Sequence, residues 1–157
     1  MAFQEPKLVS LDGFLISGLS VRTKNSEEFD PNTAKLPKLW EAFSLKANHL
    51  PFFMKNSEIF GVYTDYESDA TGYYNVTVGG LTEKVLPEFS TVKIHSGNYL
   101  VFSGKGVMPK SVIETWLRIW SYFESYSECK RNFISDFELY RGDEISIHIG
   151  VTIESSD

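Results

Sequence analysis

In the stretch FELYRGDEISIHIGV, Phe137 to Val151, one acid, Glu138, stands between Phe137 and Leu139. Successive strand side chains face opposite sides, so Phe137 and Leu139 point one way while Glu138 and Tyr140 point the other. If solvent bathes the second face, Glu138 is an ordinary surface acid. If that face is covered too, the acid lies at the bottom of an aromatic pocket and offers its charge to a cation. Other chemistry-bearing residues carry weaker signals. The three histidines are far apart, and His148 in its strand is as well explained by a local hydrogen bond, so no metal site or cofactor is readable. Cys129 is a lone cysteine without metal-ligand spacing to a partner. The GKG of Gly104 to Gly106 lacks the fuller phosphate-loop pattern and reads as a strand-to-helix connection. Asp65, Glu67 and Asp69 either draw cations toward a cleft or keep a loop solvated.

The elements that must position these residues are legible from hydrophobic periodicity. Lys7 to Thr23 alternates loosely and predicts one strand, with Gly13 and Gly18 as bulges or bends. Asn32 to Ala47 places Leu36, Leu39, Trp40 and Phe43 on one helical face, entered through Asp30, Pro31 and Asn32. Ile59 to Thr64 and Tyr73 to Gly79 predict a hairpin across the turn-rich DYESDATG. The order then recurs: a strand over Thr91 to Lys105, a helix over Pro109 to Tyr126, and a hairpin from Phe137 to Tyr140 and Ile145 to Ile153. LWEAF matches IWSYF, FGVY matches FELY, and NVTVG matches SIHIG.

The chain therefore predicts an α+β fold in which β-α-β-β is written twice, about residues 8 to 80 and 91 to 154. Two such units pack about a pseudo-two-fold axis, with a mainly antiparallel sheet, helices on one face and a ligand cleft between them. Aligning FGVY on FELY sets Gly61 against Glu138, so the acid has no counterpart in the first half.

At 157 residues, 42% apolar and 15% aromatic, the chain suits a single domain with a packed core and rings to spare for a cavity. A net charge of −6 and the lack of any Lys/Arg block weigh against direct nucleic-acid binding. No apolar run approaches a membrane span and the start MAFQEPKLVS lacks signal-peptide character, so the expected location is cytoplasmic.

IFGVYTDYESDATGYYNVTVG, MPKSVIETWLRIWSYF, and FELY followed by ISIHIGV together resemble the GyrI-like effector-binding domain family. That family includes the ligand domains of the regulators BmrR and Rob and the gyrase-inhibitor proteins; the chain also resembles a stand-alone cationic drug-binding module of an integron cassette. The likeness runs from about Val9 to Ile153 and implies a doubled β-α-β-β fold binding lipophilic, often cationic molecules. The residue matching the family's buried glutamate is Glu138, and Trp116, Trp120, Tyr63 and Tyr99 are implied as aromatic contributors. Each ring has a structural alternative: core packing for the two tryptophans, four residues apart on one helix face, and a strand rim for the tyrosines. Unlike the regulators, the chain is expected to carry no helix-turn-helix before Val9 or after Ile153, which weighs against a regulator's role.

In such a pocket a carboxylate offsets the lost hydration of an organic cation, and each ring face adds ~0.5–2 kcal/mol. Burial disfavours the empty site's ionised form, which predicts proton release when a cation binds. The leading function is capture of hydrophobic cationic compounds, for sequestration or for report to a DNA-binding or other protein partner in trans. A hydrolase of reactive hydrophobic ligands, with Glu138 as general base and Tyr63 or Tyr99 orienting the substrate, and a protein-interaction or inhibitor module are the alternatives.

Overall fold

A computed structural model describes residues 6–46, 58–68, 71–82, 89–107, 110–125 and 129–153. The β-branched and aromatic runs form eight strands: β1 (Lys7–Leu11), β2 (Phe14–Thr23), β3 (Ile59–Thr64), β4 (Tyr74–Thr82), β5 (Ser90–Ile94), β6 (Gly97–Lys105), β7 (Cys129–Arg141) and β8 (Glu144–Ile153). They make one sheet in the order β1-β6-β8-β7-β3-β4-β2-β5, and every pairing is antiparallel. Among the described residues three helices complete the α+β fold: α1 (Asn25–Glu28), α2 (Leu36–Lys46) and α3 (Lys110–Ser125). None of the described helices is long and apolar enough to cross a membrane.

The two long strands expected over Lys7 to Thr23 and Thr91 to Lys105 are each broken. The first divides around Asp12 and Gly13, the second at His95 and Ser96. β1 pairs with β6 of the second repeat while β2 pairs with β4 and β5; β5 in turn belongs to the first repeat's side and β6 to the second's. Each repeat therefore lends its first strand segment to the other. Alternation alone could not reveal this, because a chain that passes from one sheet edge to the other keeps its period of two. At the crossing the two breaks lie side by side: a side chain at Gly13 would come 2.9 Å from the Ile94 carbonyl oxygen. Gly18, expected as a bend, instead lies inside β2 directly opposite Gly79, where a Cβ on either would overlap the other strand's backbone.

α2 starts later than its sequence signals suggested. The Asp30 side chain accepts the Asn32 N–H and its carbonyl accepts those of Thr33 and Ala34, which closes a separate turn. The free N–H groups of Lys35 and Leu36 go to the carboxylate of Glu28 at 3.0 and 3.1 Å, and Pro37 fits the first turn. The final residue of the helix expectation, Ala47, lies outside the described residues, as do Pro109 and Tyr126 at the ends of the second.

Repeat-related residues fill related cores. Leu39, Phe43, Val76 and Val78 pack under α2; Ile119, Ile147 and Ile149, with Phe123 beside them, pack under α3. The opposite face of the sheet carries a third cluster with Ile16, Phe60, Val62, Ile94, Tyr99 and Phe137. Both faces of the central strands are thus covered.

Candidate functional site

The site grows from the middle of the sheet, where β3 and β7 run side by side. Gly61 is the cross-strand partner of Glu138, and Phe60, Gly61 and Val62 oppose Leu139, Glu138 and Phe137. The residues matched by the internal repeat therefore face each other across the pseudo-two-fold axis. An axis position must hold two side chains in the space of one pair, and the missing Cβ of Gly61 provides that space: a Cβ there would stand 2.8 Å from Glu138 Oε1.

Glu138 is 4% exposed and faces the helices, with Phe137 and Leu139 on the far side. Its oxygens accept three hydrogen bonds. Tyr63 donates its hydroxyl to Oε2 at 2.9 Å, Trp116 donates Nε1–H to Oε2 at 2.6 Å, and Tyr140 donates its hydroxyl to Oε1 at 2.8 Å. Tyr63 and Tyr140 are repeat-related, so the two halves each place one phenol on the single acid. Among the described residues no basic side chain pairs with Glu138. Burial raises its pKa, and the bonds from Trp116, Tyr140 and Tyr63 oppose that rise. Burial, followed by the charge of Glu138, pushes both phenols well above their ordinary range. They therefore serve as donors.

Around this acid lies a cavity of about 650 Å³, within the range of small-molecule pockets. α2 contributes Leu36 and Trp40 and α3 contributes Val112, Trp116 and Trp120, while Tyr63, Tyr66, Tyr74 and Tyr140 rise from the floor. Phe29, Ile113 and Leu117 form an apolar rim, each more than half exposed. Neighbouring rings hold one another: Trp116 packs on Tyr63 at 5.4 Å and on Trp120 at 6.1 Å, and Trp40 meets Tyr140 edge-on at 5.1 Å. The Tyr74 hydroxyl donates to Asn25 at 2.7 Å.

Of the residues singled out from sequence, Glu138, Trp116, Trp120 and Tyr63 meet at this cavity. Tyr99 does not. On β6 it alternates with Leu100 and Phe102, which pack under α3, so its ring faces the third core cluster against Phe137 and its hydroxyl donates to the His95 carbonyl. Trp40, Tyr66, Tyr74, Tyr140 and Arg131 went unnoticed. The repeat held the signal for two of them, since Tyr140 matches Tyr63 and Trp40 matches Trp120. Arg131 had none, because it reaches the cavity through an irregularity of β7 between Arg131 and Asp136. Asp65 accepts a hydrogen bond from the Asn75 side chain on β4 and Glu67 one from the Tyr73 N–H, and Asp69 lies outside the described residues. Among the described residues no cluster of three His, Cys, Asp or Glu side chains could hold a metal ion.

Residues 7–151 match the family model of the integron-associated effector binding protein, Cass2. The Bacillus subtilis (strain 168) protein YobU, whose name places it among transcriptional regulators, is 30% identical over 139 residues, 85% of this chain and 84% of its own. The integron cassette protein VCH_CASS2 from the mobile metagenome of Vibrio cholerae is 36% identical, with a TM-score of 0.85 over 96% of this chain and 97% of that one. A more distant fold relative, SAV2435, is 17% identical with a TM-score of 0.76 over 95% of this chain and 94% of its own; its structure is of a complex with tetraphenylphosphonium.

Proposed function

Because this chain belongs to the Cass2 family of integron-associated effector-binding proteins, we propose that the small molecules it binds are hydrophobic cations, held in the aromatic cavity with Glu138 as their counter-charge. The observation that carries this reading is a buried carboxylate with three neutral donors and no basic partner among the described residues. Burial raises the pKa of a carboxylate so placed, and a cation that fits supplies the counter-charge that favours its ionised form in an apolar site. The rings of Trp40, Tyr63, Trp116 and Trp120 supply faces for an organic cation rather than ligands for a metal. SAV2435, a protein of the same fold, binds a lipophilic cation, which supports the same class of ligand here.

The hydrolase reading draws less support. A carboxylate offers about four acceptor positions, and three on Glu138 are already taken, two of them by phenols that burial and the acid itself hold protonated. A general base works through a lone pair free to take a proton from water. The decisive experiment is titration with tetraphenylphosphonium, followed by tryptophan fluorescence, for wild type and Glu138→Gln, with triphenylmethanol as the uncharged comparison. The wild type should saturate with the cation. Glu138→Gln should lose at least ten-fold in cation affinity while binding triphenylmethanol as before. Equal cation binding by the two proteins would remove Glu138 from the site.

A further inference from the structure

Core packing does not explain the apolar side chains at the mouth of the cavity. On α3 the buried row is Ser111, Thr115 and Ile119. It lies against the sheet, where a Cβ at Gly104 of β6 would stand 2.5 Å from Thr115 Oγ1 and 3.1 Å from Ser111 Oγ. The next row round the helix, Val112, Trp116 and Trp120, walls the cavity. One row further from the sheet stand Ile113 and Leu117, each 55% exposed, where a solvated helix face ordinarily carries polar side chains. Phe29, directly after α1, lines the same cavity and is 73% exposed.

The cavity thus carries its charge inside and its hydrophobic surface outside. Glu138 is buried at the floor, while Phe29, Ile113 and Leu117 stand at the opening. The other polar groups of the wall already have partners: Glu28 accepts from Thr23, Lys35 and Leu36, Arg131 pairs with Asp136, and Asn25 accepts from Tyr74. A ligand whose charge reaches Glu138 therefore meets mainly hydrophobic surface on the way out, among the described residues. Adjacent rows of α3 make that surface continuous from the inner wall to the rim.

We propose that this rim is a second subsite, for an alkyl tail, so that the ligand is an amphiphilic cation bound head first: its charge stops beside Glu138 and its chain leaves the cavity along Phe29, Ile113 and Leu117. This rests on the reading of the cavity as a cation site. The tail covers apolar surface that otherwise stays in water, on ligand and protein alike. Affinity then climbs with chain length, by up to about four-fold for each methylene that is fully buried. A compact cation uses the floor of the site and leaves the rim bare.

The test compares methyl-, butyl- and octyltriphenylphosphonium, which share a head and differ in the tail, by tryptophan fluorescence. Wild type should gain about one-hundred-fold in affinity from methyl to octyl, or about two-fold per methylene for a chain half covered by the rim. Phe29→Ser, and Ile113→Gln combined with Leu117→Gln, should each cut that gain to about ten-fold or less. Phe29→Leu keeps an apolar side chain at the rim and should retain most of the gain. Leu45→Gln, at an exposed residue of α2 that does not line the cavity, should retain all of it. Glu138→Gln should weaken all three probes and keep the gain. A gain that is absent from wild type, or that survives both rim variants, overturns the tail subsite and leaves cation capture standing. Sedimentation velocity on the ligand-free protein checks another occupant: a dimer that the rim variants dissolve would assign these side chains to a second copy and overturn the tail as well. If none of the three phosphoniums binds wild type, the cation reading itself fails and the tail subsite falls with it.

Discussion

The acid at the centre of the cavity is costly to keep. Burial raises the Glu138 pKa above that of the unfolded chain, so the folded state holds its proton more tightly and stability falls as pH rises from the unfolded pKa through the folded one. Glu138→Gln removes that penalty and can still accept from Trp116 and Tyr63 through its carbonyl while Tyr140 turns to accept. It should therefore melt higher than wild type at pH 7 in a thermal scan, even as it loses the cation. The same shift predicts that binding a phosphonium near the raised pKa releases a proton, seen in calorimetry as a heat that changes with the ionisation enthalpy of the buffer. His148 titrates in the opposite sense. Burial beside the stacked Phe137 ring, 4.2 Å away, lowers its pKa to about 4 from 6.5. The stability it contributes is complete above the unfolded pKa and is lost as pH falls from about 6.5 to about 4, by about 3 kcal/mol. A His148→Phe variant should show a flatter loss of stability over that window in denaturant titrations. Gly61 is the tightest point of the site. Gly61→Ala drives a methyl group at a carboxylate held by three hydrogen bonds, and should destabilise the protein by about 1–3 kcal/mol and weaken cation binding in the same titration.

Among the elements, β2 and β4 depend on close contact between Gly18 and Gly79. No rotamer change can relieve a Cβ that meets backbone, so Gly18→Ala must push the strands apart across nine paired positions. Its melting temperature should drop by more than that of any surface substitution on α3, such as Glu114→Ala, and a circular dichroism melt decides the matter. Helix α2, one wall of the cavity, is held at its start by a Glu28 carboxylate that accepts from Lys35, Leu36 and the Thr23 hydroxyl. Strands β3 and β4 and helix α3 were legible from sequence to within a few residues, because their apolar patterns repeat over several turns or alternations. The α2 boundary was less so, since its cap comes from a residue eight positions earlier.

At the level of the whole molecule, the exchange of β1 and β5 between the halves ties them into one sheet. A fragment of residues 1–89 lacks the partner of β1 and the strand β5, and loses the β7 neighbour of β3. It should give a poorly dispersed NMR spectrum, as should residues 90–157, whereas the whole chain should unfold in a single transition followed by its tryptophans. A folded isolated half would contradict the shared core. Of the site, the sequence alone determined the doubled pattern, the α+β class and the odd acid at Glu138, because hydrophobic period and internal similarity are properties of the chain read in order. Only the tertiary structure decided where each long strand breaks and which face its side chains take. That is why Tyr99 lies in the far core while Trp40, Tyr140 and Arg131 reach the cavity. Period two says that neighbours face opposite sides, but which side holds the helices is set by packing between residues far apart along the chain.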